Sequence, residues 1–170
     1  MRKDIRIEVQ PTRIIKREGP DVFGPDCAAI ICSSYASRFD VYKKYDNRLV
    51  MSFDDVEEEN YHNAFKPGHA EMIKSFVNGL DESVHKLCIL TDRAVSRGPA
   101  IKAALYLYQS GKNSDLSVWQ SPDNYPNTLV FKTLCKTLGI RFAGLKTRYR
   151  KRIKKSPFDS RLRGSFRSPK

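Results

Sequence analysis

Apolar residues come in short runs bounded by turn residues, and these runs alternate with stretches of helical spacing. Ile5 to Val9 alternates as a short strand that Pro11 ends. Gly19, Pro20, Gly24 and Pro25 make the next segment mostly loop, with room for one turn of helix. Cys27 to Cys32 is small and aliphatic throughout, as a central strand buried on both faces requires, and Ser33, Ser34 and Tyr35 end it. Residues 36–48 show no period and read as a loop or short helix, with Phe39, Val41 and Tyr42 packing on the domain. Leu49 to Phe53 and Lys86 to Leu90 are two further strands. Between them Pro67 to Leu80 has helical spacing, with Met72, Ile73, Phe76, Val77 and Leu80 on one face.

A second helix starts near Gly98 and Pro99, aligns Ala100, Ile101, Ala104, Leu105 and Tyr108, and stops at Gly111. Asp115 to Trp119 reads as a short strand. Pro126 then opens a last helix with a stripe of Val130, Phe131, Leu134, Cys135 and Leu138, which Gly139 stops. Ile140 to Phe142 is a final apolar contact. Trp119 and Tyr125 could stack on a ligand, but aromatics beside apolar runs are usually core. The alternation predicts an α/β domain: a central, mostly parallel sheet flanked by helices.

The chemistry concentrates between the strand ending at Leu90 and the helix starting at Gly98. A short strand-to-helix loop aims successive N–H groups and the positive end of a helix dipole at one point, and an arginine there adds a planar donor fork. Asp92, Arg93, Ala94, Val95, Ser96 and Arg97 are therefore candidate ligands for an oxyanion, most simply phosphate. Alternatively the loop is only a connection and Arg97 pairs with a carboxylate such as Asp55.

The stretch LTDRAVSRGPAIKAAL resembles the signature loop of cysteine-dependent protein tyrosine and dual-specificity phosphatases, His-Cys-x-x-Gly-x-Ser-Arg-Ser-x-Ala. Ser96, Arg97 and Ala100 match it, whereas Leu90, Thr91 and Ala94 stand at the His, the nucleophilic Cys and the loop Gly. The resemblance is greatest to small bacterial proteins described as predicted tyrosine phosphatases and covers roughly residues 5 to 140. It rests also on the order of Val50 to Val56, the loop and Pro126-Asn127. It implies a cysteine-phosphatase-like single domain, a general acid at Asp55 with Asp54 as its rival, and Thr91 at the nucleophile position. A threonine hydroxyl does not ionise without an adjacent base, and none is evident, so the resemblance implies impaired catalysis. Cys88 lies three residues too early in the strand to replace it.

Composition adds a second theme. The 170 residues make about one domain. No apolar run approaches the roughly 20 residues of a membrane span, and the start lacks the apolar core of a secretory signal, so a cytoplasmic protein is expected. Four cysteines without ligand spacing read as buried free thiols, and His62, His69 and His85 are solitary, so no metal or cofactor is expected. His69, in the first turn of its helix, is expected to be exposed or capping.

Of the net charge of +12, residues 142–170 carry +10. Residues 1–143 therefore form the phosphatase-like domain and 144–170 a basic, largely disordered tail. Arg148, Arg150, Lys151, Arg152, Lys154 and Lys155 are candidate contacts for RNA, DNA or an acidic partner. The expected function is a catalytically impaired phosphatase-like protein that binds a phosphorylated protein or other phosphate-bearing ligand at the loop. An active protein phosphatase, or a nucleic-acid-binding structural protein with a vestigial loop, are the alternatives.

Overall fold

The computed structural model describes residues 1–19, 23–35, 38–40, 42, 47–111 and 124–141. The elements run β1 (Arg6–Pro11), α1 (Arg13–Glu18), β2 (Cys27–Ser33), β3 (Arg48–Ser52), α2 (Pro67–Asn78), β4 (Lys86–Thr91), α3 (Arg97–Ser110) and α4 (Thr128–Thr137). The strands form one sheet in the order β1-β4-β2-β3, every pair parallel.

β2 and β4, apolar except at their ends, lie in the middle, which is where strands without a polar face must go. Pro11 ends β1 as its last residue, opposite Thr91. An edge strand tolerates a proline because its missing N–H need not serve a second neighbour.

Side chains alternate across the sheet. Ile7, Ala28, Ile30, Cys32, Met51, Leu87 and Ile89 face α2, α3 and α4. Cys27, Ala29, Ile31, Val50, Cys88 and Leu90 face Ile15 of α1 and Phe39. The first layer holds three helices and most of the core; the second is thin.

α3 is enclosed well beyond the expected stripe, since Ala103, Leu107 and Gln109 are buried too. Its left-handed cap at Gly111 is as expected. α2 departs from expectation at Met72, which is 45% exposed because the buried stripe runs through Ala70, Ile73 and Val77. α4 is opened by Asn127, not Pro126: the Asn127 side chain accepts from the Val130 amide at 3.0 Å, a bond proline cannot make. His69 caps α2, its Nδ1 accepting from the Lys66 amide at 3.0 Å, and burial followed by the nearby Lys66 charge lowers its pKa.

All four cysteines are buried and free. No helix among the described residues is long and apolar enough to cross a membrane. The expected strand at Asp115 to Trp119 and the tail from 144 lie outside the described residues.

Candidate functional site

In an all-parallel sheet every strand ends at the same edge, and the loops that follow meet there. β1 and β2 continue toward α1 and Phe39 on one face, whereas β4 continues into α3 on the other. A crevice between diverging loops is where open α/β sheets bind ligands. Residues 92–96 occupy that position.

Alternation along β4 sends two neighbours to opposite faces. Thr91 is fully buried on the α3 side, and its Oγ1 donates to the carbonyl of Arg93 at 3.2 Å. Gly98 permits this close approach: a Cβ there would lie 2.5 Å from a Val9 methyl and 3.3 Å from the Thr91 hydroxyl. No carboxylate or imidazole among the described residues bonds to that hydroxyl. It therefore has no base to ionise it.

The nearest thiol offers no substitute. Cys32, beside Thr91 in the ladder, is wholly enclosed, and burial pushes its pKa up to about 12. Cys88 faces the opposite layer, where the Cys27 thiol and burial raise its pKa.

Asp92 turns the other way and gathers the ends of three strands. Its carboxylate accepts from Thr12 after β1 at 3.3 Å, from Ser33 at the end of β2 at 2.9 Å and from the Ser34 amide at 3.4 Å. Arg97 completes the cluster, with Nη2 3.0 Å from Asp92 Oδ2. The arginine side chain is only 5% exposed; Nη1 donates to the carbonyl of Phe53, and the guanidinium lies 5.5 Å from the Phe53 ring centre. Burial pushes the Asp92 pKa up, but the Ser33 hydrogen bond and Arg97 outweigh it and hold the carboxyl below its ordinary value.

Arg97 thus has a carboxylate partner, and that partner is Asp92 rather than Asp55. Asp55 serves a second cluster, accepting from the Ser96 hydroxyl and from Asn127 Nδ2, each at 2.8 Å. Glu57 extends it by accepting from the amide and hydroxyl of Thr128 at 2.8 and 2.9 Å. The loop after β3 therefore clasps both Ser96 and the start of α4. Backbone bonds from Tyr125 to Val95 at 2.8 Å and from Asn127 to Ser96 at 3.3 Å close the same junction.

The structure brings together most of the residues expected at the loop. Asp55 reaches Ser96 but not Thr91, and Ala94, at the position of the family's Gly, has an ordinary negative φ. Arg93 is exposed, and neither Arg93 nor Ala94 shows an amide bond to another protein group among the described residues. Reading the sequence missed Thr12, Ser33 and Asn127. Their signal was positional: each is a polar residue at the end of a strand, directly after one or directly before a helix.

No group of three or more His, Cys, Asp or Glu among the described residues could hold a metal ion. The basic residues from Arg148 to Lys155 lie outside the described residues. Compared with family models, curated proteins and solved structures, the chain matches none.

Proposed function

We propose that this is a non-hydrolytic, phosphatase-like cytoplasmic protein that holds a phosphate-bearing ligand over the 91–97 loop. The observation that carries this reading is the buried guanidinium of Arg97 beneath a loop at the carboxyl end of a central strand. A charge so placed demands an anion, and Asp92 supplies one from within the chain. An incoming phosphate shares Arg97 with Asp92 or displaces it, while the amides of Arg93 and Ala94, which bond no other protein group among the described residues, and the start of α3 add donors.

Binding without turnover follows from Thr91, whose hydroxyl keeps its proton, donates it to the Arg93 carbonyl and lies inside the fold. Asp55, held by Ser96 and Asn127, positions the loop instead of protonating a leaving group. In this reading the basic tail adds attraction for RNA, DNA or an acidic partner, through its charge alone.

The test is p-nitrophenyl phosphate. The protein should show no turnover, yet the compound should raise its melting temperature. Turnover abolished by Thr91→Ala would establish an active phosphatase and overturn the reading.

A further inference from the structure

Five large apolar or aromatic side chains are exposed among the described residues: Tyr35, Tyr61, Met72, Val95 and Tyr125. Only Met72 lies on a helix. The others sit on the segments after β2, β3 and β4 and before α4, at the edge that carries the 91–97 loop. Tyr125, expected to be core, is 50% exposed, and Tyr35 is 63% exposed.

Both tyrosines are tied to the loop through their backbones. The Tyr125 amide donates to the Val95 carbonyl at 2.8 Å. The Tyr35 amide donates at 3.1 Å to Ser33 Oγ, whose own proton goes to Asp92. One ring therefore stands at the Asp92 end of the loop and the other at the Val95 end.

Charge is distributed to match. Arg38 lies 5.0 Å from the Tyr35 ring centre, and Arg13 and Arg93 are exposed next to Thr12 and Asp92 respectively. Exposed cations thus stand on the segments that follow β1, β2 and β4, more than a single phosphate group needs. They suit a polyanion. The carboxylates of residues 54–59 follow β3 and meet the loop at its Ser96 end, through Asp55.

We propose that the loop and its two flanking tyrosines bind a short single strand of nucleic acid, with a phosphate over the loop and bases stacked on Tyr35 and Tyr125. Planar rings exposed on either side of an anion site fit alternating phosphates and bases, because every base has a face to stack. The proposal rests on the phosphate-binding reading and names its ligand class.

The test is fluorescence anisotropy of the full chain with a 5′-phosphorylated thymidine tetranucleotide, its unphosphorylated twin and a phosphotyrosine peptide. The phosphorylated oligonucleotide should bind tightest. Tyr35→Ala and Tyr125→Ala should each weaken it about tenfold, a typical loss for one stacked base, and Tyr35→Phe should restore binding. The heat stabilisation by inorganic phosphate should be unchanged in all three variants.

Oligonucleotide affinity insensitive to both alanine variants would overturn the proposal by assigning binding to the basic tail. Tighter binding of the phosphotyrosine peptide would overturn it in favour of a protein ligand. Absence of any stabilisation by inorganic phosphate would instead strike the underlying phosphate-binding reading.

Discussion

Two carboxylates organise the carboxyl edge of this sheet, and they do so in different currencies. Asp92 faces a guanidinium buried in the fold, together with the hydroxyls of Thr12 and Ser33. Asp55 is exposed and, among the described residues, accepts from neutral donors, Ser96 and Asn127. Removing the first strands a charge, whereas removing the second strands none and leaves Asn127 Nδ2 its bond to the Val56 carbonyl at 3.1 Å. Asp92 therefore holds the site's electrostatics, and Asp55 holds the loop against α4.

The largest effect is expected from Asp92→Ala, which leaves Arg97 buried without its anion. Breaking a buried pair costs roughly 3–5 kcal/mol, and the lower end applies because Asp92 is itself one-third exposed. Urea unfolding at neutral pH measures it; a loss no greater than that of Asp55→Ala would erase the distinction.

The same pair predicts a pH dependence. Its folded pKa is depressed, so the stabilisation is full above the unfolded value of about 3.9 and fades as pH falls through the folded one. Asp92→Asn should flatten that acid limb, and an unchanged limb would assign acid sensitivity elsewhere.

Gly98→Ala comes next. The new methyl would press on Val9 and Thr91, costing about 1–3 kcal/mol, and Val9→Ala in the same chain should relieve part of the loss. Strict additivity would show that the contact can relax.

Smaller still are Asn127→Ala and Asp55→Ala, each about 1 kcal/mol, the first through its helix cap and the second through its hydrogen bonds. Because the two side chains share a bond, the double variant should lose less than the sum. Full additivity would mean that Asp55 and Asn127 do not act as one latch.

Much of the fold was legible because hydrophobic period and turn residues agree with the tertiary structure. The continuous apolar run at β2 announced a central strand and that at β4 a strand, and Gly111 and Gly139 marked helix ends. Errors came where packing decides. Met72 fits the period of α2 but lies just outside its contact face, and Tyr125, beside an apolar run, is 50% exposed.

At the site, composition pointed to the loop but not to its wiring. The choice between Asp55, after β3, and Asp92, after β4, as the partner of Arg97 depends on which strand ends lie beside the start of α3. That is a consequence of strand order, and strand order is set by long-range pairing rather than by local pattern. The convergence of Thr12 and Ser33 on Asp92 has the same origin, since 80 and 59 residues separate them from it in the chain.

The central claim is that the loop still holds phosphate although Asp92 already occupies Arg97. It is tested most directly by thermal unfolding against inorganic phosphate for the protein and for Asp92→Asn. At ten times the dissociation constant, binding should add about 1.4 kcal/mol of stability. The account predicts that melting temperature rises with phosphate in both, at lower phosphate concentrations in Asp92→Asn, whose guanidinium has lost its internal anion. Melting temperatures that phosphate leaves unmoved in both proteins would contradict it.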